Sequence, residues 1–208
     1  MFLISLCILF LCSNAFFFNL LKKNNSPSLK TIQIGFLHGS KIPNEYYKPF
    51  FDDLKDRFDN PVNITYYSYF PFTDIINNTI LIGHSFGGTI ALLYCIKDNI
   101  QEINHIKSCI LINSHFNHRN KMPYPGIKMH SISQPVLTFL GRNDEKLPYK
   151  KAIDDYEVAR MKNYTNKTFL INNGNHTSCF INPDEMDCMT EQVAIHIRKI
   201  LSVDNYMF

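Results

Sequence analysis

Short apolar runs alternate with longer amphipathic segments along most of the chain. The apolar runs are rich in β-branched and aromatic side chains and are bounded by polar or turn-forming residues, as buried strands are. They predict strands at 31–37, 62–70, 78–82, 106–113, 135–140 and 168–171. The segments between them predict helices at 45–58, 89–96, 150–161 and 184–201. Because strands and helices alternate, we expect an α/β fold with a mostly parallel sheet and helices on both faces.

Two connections are short for this architecture. Only residues 71–78 lie between Phe70, which ends the second predicted strand, and Thr79 in the third. A parallel crossover usually needs a dozen or so residues, so we expect this connection to be compressed to a single turn. Residues 114–133 contain Pro123, Pro125 and Gly126, which favours a loop over a further folded unit.

The segment Gly83-His84-Ser85-Phe86-Gly87 lies where a predicted strand is followed by a predicted helix, and it fits the pattern G-x-S-x-G. A serine at such a turn is held in a strained backbone conformation with its hydroxyl outside the sheet. The neighbouring helix N-terminus favours negative charge that develops beside it. Ser85 is therefore the candidate nucleophile.

A serine hydroxyl needs a base, and the base needs a group that orients it. Asp144 follows the predicted strand at 135–140, and His176 follows the one at 168–171. In open α/β sheets the ligand crevice forms outside the carboxyl ends of the strands. We therefore expect loops at one sheet edge to bring Ser85, Asp144 and His176 together.

These signals together resemble the α/β-hydrolase superfamily, in its lipase and esterase-like branch. The resemblance covers residues 31–201. It rests on His38-Gly39 after the first core strand, the turn at Ser85, G-x-x-D ending at Asp144 and G-x-H ending at His176. The order serine, aspartate, histidine along the chain is also the order of that superfamily.

The resemblance implies a reduced α/β-hydrolase fold with a minimal cap, and it implies a role for each residue. Ser85 would be the nucleophile, His176 the general base and Asp144 the group that orients the imidazole. The backbone N–H groups of Phe86 and Ser40 would form the oxyanion hole. No metal ion or organic cofactor would be required.

The activity that this resemblance implies is a serine hydrolase that cleaves carboxylic esters through an acyl-enzyme. Its partner would be a small-molecule or lipid ester. The same three side chains also suit a thioesterase, an acyltransferase or an amidase. A further alternative is a hydrolase-fold protein that binds a ligand without catalysis.

Other residues compete for these roles. Glu145 lies next to Asp144 and is an alternative orienting group. His84 occupies the variable position of the motif, and we expect it to pack or hydrogen-bond rather than to act as a second base. His115 and His118 have a spacing that suits a metal ion, but no carboxylate or cysteine cluster accompanies them, so we expect an exposed loop.

The composition fits one globular domain. The chain has 208 residues, of which 45% are hydrophobic and 19% are charged, so a packed core is feasible. The net charge is only +3, and the basic residues form no stripe with interleaved aromatics. The sequence therefore gives no indication of nucleic-acid binding.

Residues 1–30 differ from the rest of the chain. An apolar run at 2–11 is followed by the small residues Ser13 and Ala15, a pattern typical of a cleaved secretory signal peptide. No basic residue precedes the run, and apolar character continues to Leu21, so an uncleaved membrane anchor is the alternative. We expect a signal peptide or anchor at 1–21, a polar linker at 22–30 and a hydrolase domain at 31–208. The expected localisation is the secretory pathway, with membrane anchoring as the alternative.

Four of the six cysteines lie beyond this leader. Cys179 and Cys188 flank a short loop after His176 and are a candidate disulfide. Cys95 lies in a predicted helix and Cys109 in a predicted strand, and we expect both to be buried thiols.

Overall fold

The structure is a computed structural model, and it describes residues 30–67, 80–95, 106–114, 134–150 and 167–204. The predicted signal peptide or anchor at 1–21 lies outside the described residues. So do the short connection at 71–78, the loop with His115 and His118, and almost all of the helix predicted at 150–161. Within the described ranges, no helix combines the length and the apolar character needed to cross a bilayer.

Six parallel strands form one sheet in the described residues. They are β1 (Ile32–Leu37), β2 (Val62–Tyr66), β3 (Ile80–His84), β4 (Ser108–Ile112), β5 (Val136–Gly141) and β6 (Lys167–Ile171). Their spatial order is β2-β1-β3-β4-β5-β6, and every neighbouring pair is parallel. The chain therefore moves first to one side of β1 and then to the other. Such a reversal between β1 and β3 is where parallel α/β sheets open a crevice.

Three helices accompany the sheet in the ranges that the structure describes. They are α1 (Lys48–Asp56), α2 (Phe86–Tyr94) and α3 (Pro183–Asp204), with 3₁₀ turns at Asn44–Tyr47 and Ser178–Phe180. The helix predicted at 45–58 is thus divided into a 3₁₀ turn and α1. The physical reason is Pro49, which lies in the first turn of α1 and cannot donate a backbone hydrogen bond to a preceding turn.

The helices lie on both faces of the sheet, as the sequence predicts. One face presents Ile34, Ile82 and Ile110, which pack with buried side chains of α1 and α3 such as Phe50 and Val193. The alternate residues of the strands point to the other face, where α2 packs on β3 and β4. The central strands β3, β4 and β5 are buried along their whole length, as strands covered on both faces are.

The cysteine pairing differs from the expectation. A disulfide joins Cys95, directly after α2, to Cys109 in β4, with the two Cα atoms 6.7 Å apart. Cys109 alternates with Ile110 along β4, so it faces α2 rather than the opposite helices. Cys179 and Cys188 are free, because Cys179 is buried in the core whereas Cys188 is exposed on α3. The expectation of buried thiols at Cys95 and Cys109 is therefore wrong, and so is the candidate bond between Cys179 and Cys188.

Candidate active site

Ser85 lies at the turn between β3 and α2, in the left-handed region of backbone space with φ of 54°. A non-glycine residue there is strained and must be held by its surroundings. Its N–H donates to the carbonyl of Ile112 at the end of β4, and its own carbonyl accepts from Gly88 and Thr89 in α2. The strand before the turn and the helix after it together fix the direction of the hydroxyl.

Glycine is required in this turn for space. A Cβ atom on Gly87 would overlap the carbonyl oxygens of Leu37 and His38 at the end of β1. A Cβ atom on Gly83 would lie 2.5 Å from the carbonyl oxygen of Gly87. The G-x-S-x-G pattern thus allows the serine turn to pack directly against the loop that follows β1.

The structure brings Ser85, Asp144 and His176 together at the carboxyl ends of β3, β5 and β6. His176 Nε2 lies 2.9 Å from Ser85 Oγ, and His176 Nδ1 lies 2.7 Å from Asp144 Oδ2. A carboxylate only accepts hydrogen bonds, so Nδ1 carries the imidazole proton. The lone pair of Nε2 then faces the serine hydroxyl, which donates to it.

Asp144 is held in this orientation by its own loop. Its side chain is buried, with 1% of its surface exposed. The second carboxylate oxygen, Oδ1, accepts hydrogen bonds from the N–H groups of Lys146 at 2.9 Å and Leu147 at 2.8 Å. Both oxygens of the carboxylate are therefore engaged, and the oxygen that faces His176 is fixed.

The neighbouring Glu145 is exposed, and it is Asp144 that accepts the hydrogen bond from His176 Nδ1. Of the two carboxylates that the sequence left open, Asp144 is thus the one in contact with the imidazole.

The loop that carries His176 is closed by short-range hydrogen bonds. Asn175 Oδ1 accepts from the N–H groups of Thr177 and Ser178. Ser178 Oγ accepts from the N–H of Asn175 and donates to Glu185 at the start of α3, at 2.5 Å. Asparagine and serine commonly stabilise turns in this way, so the loop does not depend on packing alone.

Asn113, directly after β4, joins three parts of the site and was not singled out from the sequence. Its side-chain amide donates to the carbonyls of Asn175 at 2.9 Å and His176 at 3.0 Å, and its side-chain oxygen accepts the N–H of Gly141 at 2.7 Å. Its φ of 42° is a conformation that asparagine tolerates better than most residues. A polar residue that ends an otherwise apolar strand is the only signal of this role in the sequence.

The two expected oxyanion donors come from two segments of the chain, the start of α2 and the turn after β1. Phe86 is the first residue of α2, and the residue is 43% exposed. Ser40 lies on an exposed turn after β1. The N–H of Gly39, one residue earlier, donates to the hydroxyl of Tyr47 at 2.8 Å and is therefore engaged within the protein.

His84 is a fully buried residue with hydrogen bonds on both ring nitrogens. Nδ1 lies 2.9 Å from the hydroxyl of Tyr47, and Nε2 lies 2.8 Å from the carbonyl of His176. Burial is the main reason that its pKa is lowered to about 3, and the hydrogen bond to the His176 carbonyl opposes this shift only in part. His84 is therefore a neutral hydrogen-bonding residue, as the sequence predicts, and not a second base.

The part of the chain that the structure describes contains no group of three or more histidine, cysteine, aspartate or glutamate side chains that could hold a metal ion.

The parallel sheet, its reversal beside β1 and the strained serine after β3 define an α/β architecture of the hydrolase type. No protein-family model matches the chain, and no curated protein matches its sequence. Solved structures do match its fold. Alpha/beta hydrolase domain-containing protein 10 from mouse superposes with a TM-score of 0.61 at 16% identity, over 82% of this chain and 91% of that chain.

Other solved structures agree with this comparison. ClbQ from the colibactin NRPS/PKS pathway gives a TM-score of 0.64 at 10% identity, over 84% of this chain and 100% of the ClbQ chain. The esterase domain of a Rhodothermus marinus protein gives 0.58 at 13% identity, over 85% of this chain and 89% of that chain. The chain has the α/β-hydrolase fold, and the fold predicted from the sequence is confirmed.

Proposed function

We propose that this protein is a serine hydrolase that cleaves carboxylic esters through an acyl-enzyme. The observation that carries the proposal is the pair of hydrogen bonds from Ser85 to His176 and from His176 to Asp144. The fold supports a hydrolase, and two structures that resemble this chain are esterases, from Rhodothermus marinus and Pyrococcus furiosus. The substrate would be a small-molecule or lipid ester.

In the proposed reaction, Ser85 Oγ attacks the acyl carbonyl while His176 Nε2 takes the hydroxyl proton. Asp144 stabilises the imidazolium that forms. The N–H groups of Phe86 and Ser40 donate to the negatively charged oxygen of the tetrahedral intermediate. His176 then returns the proton to the leaving alcohol, and the acyl-enzyme is hydrolysed by water that the same histidine activates.

Labelling with a fluorophosphonate tests the proposal, because the probe reacts with a serine that a base has activated. We expect the wild-type protein to be labelled, and Ser85→Ala to lose both labelling and hydrolysis of short p-nitrophenyl esters by more than ~10⁴-fold. Ser202→Ala is a matched control, since Ser202 is an exposed serine on α3. Unlabelled wild-type protein would favour the alternative of a ligand-binding protein without catalysis.

The same three side chains serve other acyl-transfer reactions, so the leaving group needs its own test. Hydrolysis rates are compared for an ester, a thioester and an amide that share one acyl chain. We expect the ester to react fastest. A faster thioester would identify a thioesterase, and acyl transfer to an added alcohol in preference to water would identify an acyltransferase.

We further propose that residues 1–21 direct the chain to the secretory pathway, or anchor it to a membrane if they are not cleaved. Residues 22–30 would link this segment to a hydrolase domain at 31–208. N-terminal sequencing of the protein from a secreting host distinguishes the two forms. A mature chain that begins after residue 15 is expected for a cleaved signal, and an intact N-terminus in the membrane fraction for an anchor.

A further inference from the structure

A buried chain of hydrogen bonds begins at the loop after β1. Tyr47, in the 3₁₀ turn before α1, is fully buried, and its hydroxyl oxygen accepts the N–H of Gly39. The same hydroxyl lies 2.9 Å from His84 Nδ1. A Cβ atom on Gly39 would lie 2.7 Å from His84 Nδ1 and 3.0 Å from the tyrosine hydroxyl, so both side chains pack directly against this loop.

The chain of hydrogen bonds ends at the loop after β6. His84 Nε2 lies 2.8 Å from the carbonyl oxygen of His176. Because a carbonyl only accepts, Nε2 carries the proton of the neutral ring and Nδ1 is the acceptor. Tyr47 must then donate to Nδ1. The direction of every hydrogen bond is thus determined. Gly39 N–H donates to Tyr47, the Tyr47 hydroxyl donates to His84, and His84 donates to the carbonyl of His176.

Ring packing makes this connection stiff. The rings of Tyr47 and His84 both meet Phe180 edge-on, with centroids 4.8 Å and 4.9 Å away. The rings of His84 and His176 are 5.0 Å apart. Phe180 is itself fully buried. Edge-to-face aromatic contacts of this kind restrict how the side chains can move relative to one another.

We propose that Tyr47 and His84 are positioning residues, which hold the loop with the expected oxyanion donor at a fixed distance from the loop with His176. The inference rests on the proposed function. The two loops follow strands at different places in the sheet, and a serine hydrolase needs both in register with Ser85 at the same moment. Donors that are placed before the reaction stabilise the oxyanion most, and misplacement by about 1 Å can cost ~10²-fold in rate.

Tyr47→Phe tests this inference with the loss of one oxygen atom. It removes the acceptor of the Gly39 N–H and the donor to His84, while the ring is kept. The control is Tyr46→Phe, the same change at the adjacent residue, whose ring contacts that of Tyr47. We expect Tyr47→Phe to lower the second-order rate constant of fluorophosphonate labelling by about tenfold or more. Tyr46→Phe should stay near the wild-type value.

A pair of changes at His84 adds a test by conservative replacement. Glutamine keeps a donor and an acceptor on one planar group, whereas phenylalanine keeps a ring without polar atoms. We expect His84→Gln to retain more labelling than His84→Phe. His196→Gln is the control for changing a buried histidine, because His196 bonds to Ser108 away from this loop pair. If His84→Phe does not fold, Tyr47→Phe still decides the question.

The measurements separate positioning from general stability. They are made well below the melting temperature of each variant, and the same variants are assayed for kcat, KM and inhibition by a trifluoromethyl ketone, which forms a tetrahedral adduct. We expect kcat and the affinity for the ketone to fall together, while KM changes little. Labelling and ketone affinity at wild-type levels in Tyr47→Phe, even with a lower melting temperature, would overturn the inference and leave the proposed function intact. A wild-type protein that is not labelled at all would overturn the proposed function and this inference with it.

Discussion

The substitution Asp144→Asn examines the proposed triad most directly, because the structure dictates how the new amide must be oriented. Asp144 Oδ1 accepts two backbone N–H groups, those of Lys146 and Leu147. An asparagine must keep its oxygen at that position, since its NH₂ group would otherwise face two donors. Its NH₂ group is then directed at His176 Nδ1.

This orientation changes the tautomer of the imidazole. Facing an NH₂ donor, His176 Nδ1 becomes an acceptor, and the single proton of the neutral ring moves to Nε2. Nε2 then presents a proton to Ser85 Oγ and can no longer accept one. A wrong tautomer of this kind costs ~10⁴-fold in turnover where it has been measured in a serine protease triad. That corresponds to about 5 kcal/mol of lost transition-state stabilisation.

The assay is steady-state hydrolysis of a short p-nitrophenyl ester, with the thermal midpoint measured for each variant. Glu145→Gln is the matched control, because it makes the same chemical change at the exposed neighbouring residue. We expect Asp144→Asn to be folded and almost inactive and Glu145→Gln to be near wild type. If Asp144→Asn keeps its activity to within about tenfold of wild type, the tautomer argument is refuted. A large loss in Glu145→Gln alone would move the orienting role to that residue.

Three further predictions concern stability. Replacing both Cys95 and Cys109 with alanine should lower the free energy of unfolding by about 3 kcal/mol, because the disulfide closes a loop between cysteines 14 residues apart in the unfolded chain. Equal urea midpoints for the variant and the oxidised wild type would contradict this. Gly87→Ala should destabilise the fold by about 2 kcal/mol, because the new methyl group overlaps the carbonyl of Leu37; an unchanged melting temperature would show that the turn can relax. Burial lowers the pKa of His84 from 6.5 to about 3. Below about pH 6.5 the unfolded chain therefore binds a proton that the folded protein does not, and the free energy of unfolding decreases as the pH falls towards 3. Urea unfolding between about pH 7 and about pH 4 should show this loss, by roughly 1 kcal/mol per pH unit, in wild type but not in His84→Gln; equal slopes would rule the assignment out.

The architecture and the three proposed catalytic side chains could be predicted from the sequence because they depend on local patterns. The apolar runs fix the strands, and the carboxyl ends of parallel strands meet at one edge of a sheet. Ser85, Asp144 and His176 each follow such a run, so their proximity follows from topology without knowledge of the loops. Glycines at 83 and 87 mark the sharp turn by their spacing alone.

The features that were missed depend on which side chains face each other across the fold. The sequence predicts Asn113 only as the last residue of a strand. In the structure its backbone has φ of 42°, and its side chain forms hydrogen bonds with two other loops. Tyr47 belongs to a segment that predicts one continuous helix. The bond between Cys95 and Cys109 requires knowing which face of β4 lies under α2. The periodic pattern of apolar and polar residues predicts strands and helices, but it does not predict these contacts between them.

The disulfide between Cys95, directly after α2, and Cys109 in β4 means that each protein preparation should be characterised by whether this bond is formed. In an oxidising compartment such a bond forms and persists, whereas the cytosol keeps most thiols reduced. The helix that starts immediately after Ser85 would then be fastened to the sheet at its far end in one preparation and held only by packing in the other. Recombinant material from a reducing host and from a secreting host should therefore be treated as two different samples, and any difference in heat resistance between them should be checked against thiol content first.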